Sequence, residues 1–124
     1  MRKILAVDDE QGISVILEKF LTKSGFDVII ANSGQQAIDI MRSDKGIELI
    51  VLDIKMPGVS GVDVLKEMAR MNNNTPVIIL SGSIGVQENV DELNKLGYDE
   101  KTVLYKPVDL TELLERIKQM LPNN

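Results

Sequence analysis

The sequence contains no cysteine, no histidine and no tryptophan, and aromatic residues make up 3% of its 124 residues. Without cysteine, the chain cannot form disulfides, zinc ribbons or thiol-based active sites. Without histidine, it lacks the commonest general base and metal ligand, and it cannot itself carry a phosphohistidine.

The sequence also lacks a long hydrophobic run. No apolar stretch approaches the ~20 residues of a transmembrane helix, and Asp8-Asp9-Glu10 interrupts the N-terminal apolar stretch too early for a signal peptide. The net charge of −5 argues against non-specific binding to nucleic acids or anionic membranes. We therefore expect a cytoplasmic protein that binds neither nucleic acid nor membranes.

The chain shows no internal repeat or linker, so we expect one domain over residues 1–124, with a core of about 3–121. Whether this domain stands alone or belongs to a longer protein is left open. Strand-like and helix-like segments alternate along it. The expected strands are 3–8, 28–31, 48–53, 77–80 and 102–105, and the helices include 61–71, 86–96 and a last one capped by Asp109.

Five strand–helix units predict an α/β fold with a parallel sheet. A barrel would need eight such units, so the length excludes it. Right-handed crossovers that place helices on both faces favour a doubly wound sheet. We expect a flavodoxin-like five-stranded parallel sheet in the order 2-1-3-4-5, with five helices.

Acidic residues follow two strands of this predicted sheet. Asp8 and Asp9 follow Ile4-Leu5-Ala6-Val7, and Asp53 follows Leu49-Ile50-Val51-Leu52. Wholly apolar strands are typical of the sheet centre, and the predicted order makes these two neighbours, so the three carboxylates would meet at one edge. Unpaired, they would raise one another's pKa values. A hard divalent cation relieves that repulsion, which makes Mg²⁺ the expected cofactor.

Two further polar residues follow the fourth and fifth strands, namely Ser81 and Lys106. A carboxylate can act as a nucleophile toward phosphorus, and phosphoryl transfer depends mainly on positioning and charge neutralisation. We therefore assign Asp53 as a phosphoryl acceptor that an incoming donor can reach. Asp9, supported by Asp8, would hold Mg²⁺, and Lys106 and Ser81 would bind the phosphoryl oxygens.

Each of these features has an ordinary explanation when taken alone. An acidic pair after a strand is often only a helix cap, and Asp53 or Ser81-Gly82 is common at a turn. Lys106-Pro107 is an unremarkable strand exit. A single shared site nevertheless explains all four features at four strand ends, whereas separate coincidences do not.

With these residues the chain resembles the response-regulator receiver domains of two-component signal transduction. The resemblance extends from Lys3 to about Leu121 and rests on an ordered set, Asp8-Asp9, Asp53, Met56-Pro57-Gly58, Gly61, Ser81 and Lys106-Pro107. It implies a cytoplasmic bacterial phosphoprotein of a phosphorelay. A sensor histidine kinase or a phosphotransfer protein would phosphorylate Asp53. The chain would not be an enzyme, although it would assist its own phosphotransfer and slow dephosphorylation.

The resemblance also implies a set of metal ligands. Mg²⁺ would be bound directly by Asp9, Asp53 and the backbone carbonyl of Lys55, with Asp8 acting through water. The side chains of Lys55 and Ser83 would tune the access of the hydrolytic water to the aspartyl phosphate.

The resemblance places the output surface on the fourth helix, fifth strand and fifth helix, which would contact a downstream protein or a second copy. The phosphodonor would approach the first helix and the loop after the fifth strand. The family's switch is an aromatic residue three positions before the lysine, but this chain has Val103 there. Tyr105 shares that strand face and is the alternative candidate switch. The spacing from Gly97 to Lys106 is also longer than is common in the family.

Two other functions need residues that this chain lacks, and a third fits the same residues. A haloacid-dehalogenase-like phosphatase needs a second acid two residues after its nucleophile, where this chain has Lys55. A flavin-binding module needs aromatic residues and a phosphate-binding loop after the first strand, where this chain has Asp8-Asp9-Glu10. A degenerate receiver that docks to a partner without being phosphorylated remains an alternative.

Overall fold

The computed structural model describes residues 2–82, 90–99 and 102–121. The strands are β1 (Lys3–Val7), β2 (Asp27–Ala31), β3 (Leu49–Asp53), β4 (Val77–Ser81) and β5 (Val103–Tyr105). The helices are α1 (Gln11–Lys23), α2 (Gly34–Ser43), α3 (Gly61–Arg70), α4 (helical over residues 90–95 in the described part) and α5 (Leu110–Met120). The first residues of the predicted fourth helix, 86–89, lie outside the described residues, as does Ser83.

All strand pairs are parallel and the sheet order is β2-β1-β3-β4-β5, which confirms the predicted fold. Val7 pairs with Leu52 across β1 and β3, and Ser81 pairs with Tyr105 across β4 and β5. The carboxyl ends of four strands therefore lie along one edge of the sheet. Every polar residue predicted to follow these strands is brought to that edge.

The core lies on both faces of the sheet, which explains why the central strands are wholly apolar. Along β3, Ile50 and Leu52 face the side covered by α2, α3 and α4, whereas Leu49 and Val51 face the side covered by α1 and α5. All four of these side chains are fully buried. Burial on both faces contributes roughly 1.5–3 kcal/mol per large apolar side chain and holds the site-bearing ends of β1 and β3 side by side.

Local sequence signals set the helix ends. Asp109 accepts hydrogen bonds from the N–H groups of Thr111 and Glu112, which confirms it as the cap of α5. The reciprocal capping box is seen at α3, where Ser60 and Asp63 cap each other. Gly25 follows α1 with φ of +97°, a left-handed conformation that glycine adopts without strain. In the described part of the chain, no helix has the length and apolar character needed to cross a membrane.

Candidate functional site

Three carboxylates converge at the carboxyl edge of the sheet, as predicted. Asp8, Asp9 and Asp53 each offer an oxygen, and these oxygens lie within 4.8 Å of one another. The convergence follows from the pairing of β1 with β3, because Asp8 and Asp53 directly follow the paired residues Val7 and Leu52. Asp8 and Asp53 are buried, whereas Asp9 is exposed to solvent.

Asp8 is held by its own backbone and by the turn that follows it. Its N–H donates to the carbonyl oxygen of Ala31 at 3.1 Å, and its Oδ1 accepts from the Glu10 N–H at 2.9 Å. Its Oδ2 is buried without a hydrogen-bond partner among the described residues. Burial raises the pKa of Asp8 above its usual range. A buried carboxylate oxygen without a donor fits a site in which a cation or a cation-bound water completes its coordination.

Asp53 accepts a hydrogen bond on Oδ1 from the Lys55 N–H at 3.3 Å, and its Oδ2 lies 3.3 Å from the Lys106 ammonium nitrogen. Burial raises the pKa of Asp53 to about 6, because the ammonium of Lys106 only partly offsets it and the charge of Asp8 adds to it. The Asp53 carboxylate is therefore held in an environment that disfavours its charge.

Lys106 lies among three carboxylates. Its Nζ is 3.3 Å from Asp53 Oδ2, 3.7 Å from Asp8 Oδ2 and 3.9 Å from Glu10 Oε1. Its backbone N–H donates to the carbonyl oxygen of Ser81 at 2.9 Å, which places the end of β5 beside the end of β4. Burial acts to lower the pKa of Lys106, but the charges of the three carboxylates outweigh it and the net direction is upward.

Asp53, which we expected to lie within reach of an incoming donor, is buried at the edge of the sheet. The Asp53 side chain is only 3% exposed, and Lys106 contacts it with a side chain that is 23% exposed. The physical reason is electrostatic, since the clustered carboxylates attract the ammonium of Lys106. Lys106 therefore covers part of the Asp53 carboxylate, with its ammonium nitrogen 3.3 Å from Oδ2.

Ser81 is buried at the end of β4, and its hydroxyl donates to the carbonyl oxygen of Gly82 at 2.7 Å.

The two candidate switch residues, Val103 and Tyr105, differ in environment. Val103 is buried in the core, with Tyr98 packed against the same cluster, whereas Tyr105 is 47% exposed. Lys55, at the start of the loop after β3, is exposed.

The sequence reasoning missed Glu10 and Ser14 as residues near the site. Glu10 occupies the N-cap position of α1, but its side chain makes no capping hydrogen bond and lies 3.9 Å from Lys106. Glu10 could have been found from the sequence, because it is the third acidic residue of the run Asp8-Asp9-Glu10. Ser14 is buried, and its hydroxyl donates to the backbone carbonyl of Asp8 at 3.1 Å. No sequence pattern predicts this contact.

Residues 4–118 of the sequence match the family described as response regulator receiver domain. The chain belongs to this family. Its acidic cluster of Asp8, Asp9 and Asp53 is typical of the phosphoacceptor site of a receiver domain. The protein is therefore a signalling module rather than a classical enzyme, which argues against the phosphatase interpretation.

The receiver domain is similar to several known proteins. It is 36% identical to the sporulation initiation phosphotransferase F of Bacillus subtilis over 97% of this chain and 94% of the relative. It is 40% identical to the transcriptional regulatory protein CpxR of Escherichia coli over 98% of this chain, but it spans only 50% of that relative. The structure of the Thermotoga maritima response regulator TrrA, in complex with Mg²⁺-BeF, superposes with a TM-score of 0.82 and 28% identity, covering 97% and 99% of the two chains.

A receiver domain implies a partner that donates the phosphoryl group, either a kinase or a phosphotransferase. The acidic cluster is consistent with a metal site, and the TrrA relative was solved with Mg²⁺-BeF. The donor atoms of this chain fit such an ion, because they are carboxylate oxygens and one of them, Asp8 Oδ2, is buried without a hydrogen bond in the described part of the chain.

Proposed function

We propose that this single receiver domain, residues 1–124, accepts a phosphoryl group on Asp53 from a cytoplasmic histidine kinase or phosphotransfer protein. The observation that carries the proposal is the position of Lys106, whose ammonium lies 3.3 Å from Asp53 Oδ2 and 3.7 Å from Asp8 Oδ2. A nucleophilic carboxylate, a neighbouring acidic pair and a cation in contact form the set that phosphoryl transfer to an aspartate needs.

Asp9, Asp53 and the backbone carbonyl of Lys55 would hold Mg²⁺ directly, with Asp8 acting through water. The support is the convergence of three carboxylates within 4.8 Å and the orphaned Asp8 Oδ2. When bound, the ion would neutralise the carboxylates and the incoming phosphoryl oxygens. The Asp9 carboxylate is exposed, so an ion from solvent can reach it first.

In the transfer step, Asp53 Oδ2 forms a bond to phosphorus while the phosphorus–nitrogen bond of the donor phosphohistidine breaks. The Lys106 ammonium leaves Oδ2 and pairs with a phosphoryl oxygen, and the Ser81 hydroxyl turns from the Gly82 carbonyl to donate to another. Slow hydrolysis returns the free carboxylate. Lys55 and Ser83, each two residues beyond a site residue, tune the access of the attacking water.

The phosphodonor would dock beside the site on an apolar groove between α1 and the loop after β5. The groove is lined by Ile13, Ile16, Leu17, Lys106, Pro107, Val108 and Leu110. Ile16 is 54% exposed and its neighbour Val15 is 46% exposed, which is unusual for large apolar side chains on an otherwise polar helix surface. Because Lys106 lines both the groove and the site, a partner seated there can displace it and open Asp53.

The output would pass through α4, β5 and α5, where Val90 and Tyr105 are exposed. A downstream protein or a second copy of the domain would bind this face. Pulling Ser81 toward the phosphoryl group would shift the segment that leads into α4, with Val103 or Tyr105 as the residue that responds, a population shift between two states.

The burial of the Asp53 side chain favours one second candidate, a receiver that docks to its partner without being phosphorylated. Intact-mass analysis after incubation with acetyl phosphate and Mg²⁺ separates the two functions. We expect a single phosphoryl adduct on the wild type and on Asp91→Asn, an exposed carboxylate control, but none on Asp53→Asn. No adduct on the wild type would favour the docking module.

The conformational part of the proposal has its own test. Amide chemical shifts are compared with and without beryllium fluoride in the presence of Mg²⁺. We expect changes over residues 82–106, which join Ser81 to Lys106. Unchanged shifts across that segment, together with a confirmed mass adduct, would mean that phosphorylation occurs without the proposed output.

A further inference from the structure

One buried polar residue next to the site has no role in the chemistry described so far. Among the described residues, the buried polar side chains are those of Asp8, Asp53, Ser81 and Ser14. Ser14 lies in the first turn of α1 and is 4% exposed. Burial of a hydroxyl costs free energy unless it is hydrogen-bonded, so the partner of Ser14 is informative.

Ser14 binds both neighbours of Asp9. Its N–H donates to the carbonyl oxygen of Glu10 at 3.0 Å, and its hydroxyl donates to the carbonyl oxygen of Asp8 at 3.1 Å. A serine inside a helix usually bonds the carbonyl three or four residues earlier. Here the acceptor lies six residues earlier and outside the helix, so the bond ties α1 to the turn that carries the acidic pair.

The hydrogen bond from the Ser14 hydroxyl to the Asp8 carbonyl restrains the backbone from which the Asp9 side chain extends. Because the peptide unit is planar, holding the carbonyl of Asp8 also sets the positions of the Asp9 nitrogen and Cα. The Asp9 side chain is exposed, so packing does not fix its direction. Asp8, by contrast, is also held through its own N–H and Oδ1. Loss of the Ser14 bond would therefore leave Asp9 held from its Glu10 side alone, where the Glu10 N–H donates to Asp8 Oδ1 at 2.9 Å.

We propose that Ser14 is a positioning residue that orients Asp9 to bind a divalent cation. The proposal rests on the proposed function only in taking Asp9 as a direct metal ligand. Residues that orient metal ligands through hydrogen bonds contribute about 10–100-fold to metal affinity. Ser14 acts through one backbone carbonyl, so we expect roughly a tenfold effect, at the lower end of that range.

The test measures Mn²⁺ binding directly, from the electron paramagnetic resonance signal of the free ion, at a temperature where every variant is folded. Ser14→Ala should raise the dissociation constant about tenfold, and Ser14→Thr, which keeps the hydroxyl, should restore it. Ser24→Ala is the matched control, because the Ser24 hydroxyl donates to the Phe20 carbonyl at 2.9 Å at the far end of the same helix. It should leave Mn²⁺ binding unchanged.

A double-mutant cycle distinguishes the positioning of Asp9 by Ser14 from a general loss of structure around the metal site. In an Asp9→Asn background, Ser14→Ala should have no further effect on Mn²⁺ affinity, because the ligand that it orients is already lost. Additive losses, or equal affinity of Ser14→Ala and the wild type, would overturn the proposal. A wild type that binds Mn²⁺ but gains no phosphoryl group from acetyl phosphate would refute the proposed function and leave the role of Ser14 intact.

Discussion

The ammonium nitrogen of Lys106 lies 3.3 Å from Oδ2 of Asp53, although the two residues end strands that are separated by β4. The side chain of Lys106 must therefore cross the end of β4 to reach Asp53. This cation neutralises part of the charge that Asp8 and Asp53 share. The contact links the stability of the resting domain to the chemistry of the site.

Replacing Lys106 with methionine removes that charge but keeps a long side chain. Without the ammonium, the buried carboxylates of Asp53 and Asp8 repel each other, so we expect the metal-free protein to lose about 1–2 kcal/mol of stability at pH 7.5. Urea unfolding in EDTA measures this loss, and added Mg²⁺ should reduce it. Lys118→Met, an exposed lysine on α5, is the control. Equal losses in both variants would contradict the prediction.

The pKa of Asp53, raised by burial to about 6 from an ordinary value of 3.8, predicts a pH dependence of stability. A carboxyl that binds its proton more tightly in the folded state contributes stability below the unfolded pKa. It loses that contribution as the pH rises through about 6. Without metal, the wild type should therefore lose stability relative to Asp53→Asn, on the order of 1 kcal/mol, between pH 5 and pH 7.5.

This comparison uses urea unfolding of both proteins in EDTA at the two pH values. Asp8 is present in both proteins, so the difference between them reports the titration of Asp53 together with its coupling to Asp8. Saturating Mg²⁺ should abolish the loss, because a bound cation favours the ionised carboxylates. A constant difference between the two proteins across this pH range would contradict the burial of an ionisable Asp53.

Ile16→Glu tests the apolar groove as the phosphodonor site. Ile16 is 54% exposed, so a charge there should change the stability by less than about 0.5 kcal/mol. A glutamate in the centre of an apolar contact should slow transfer from a protein donor at least about tenfold. The measurement uses a panel of purified, autophosphorylated histidine kinases. Acetyl phosphate, which needs no docking, should react as with the wild type.

Val90→Glu provides the control for that experiment, since Val90 is 39% exposed on α4, away from the groove. It should leave transfer from the kinases unchanged. Equal slowing by both substitutions would show that added charge, rather than the groove, is responsible.

Gly61→Ala should lower the stability of the fold and slow the reaction of Asp53 with a phosphodonor. A Cβ at Gly61 would lie 2.5 Å from the Cα of Ile54 and 2.6 Å from the carbonyl oxygen of Asp53. We expect a loss of about 1–3 kcal/mol and slower phosphorylation by acetyl phosphate. Gly12→Ala in α1 is the counterpart, because nothing lies within 4 Å of its Cβ. It should stabilise the protein by about 0.5–1 kcal/mol, as thermal unfolding can show.

The fold could be predicted from sequence because apolar strands and amphipathic helices carry strong periodic signals. The positions of the polar residues at the four strand ends were predicted for the same reason, since parallel strands bring their carboxyl ends to one edge. The first and last residues of the helices and strands were predicted less closely. Thr102 was expected in the fifth strand, but its hydroxyl donates to the Asp99 carbonyl at 2.7 Å in a turn, and β5 begins at Val103.

The amino-acid order alone was sufficient for the strand order, the acidic cluster and the placement of Lys106 and Ser81 at the same edge, because each depends on periodicity and on where a strand stops. The burial of Asp53, the approach of Glu10 to Lys106 and the bond from Ser14 to the Asp8 carbonyl emerged only from the folded chain. These features depend on distances of a few ångströms between side chains from different elements. Charge attraction and packing between elements set those distances, and no local pattern encodes them.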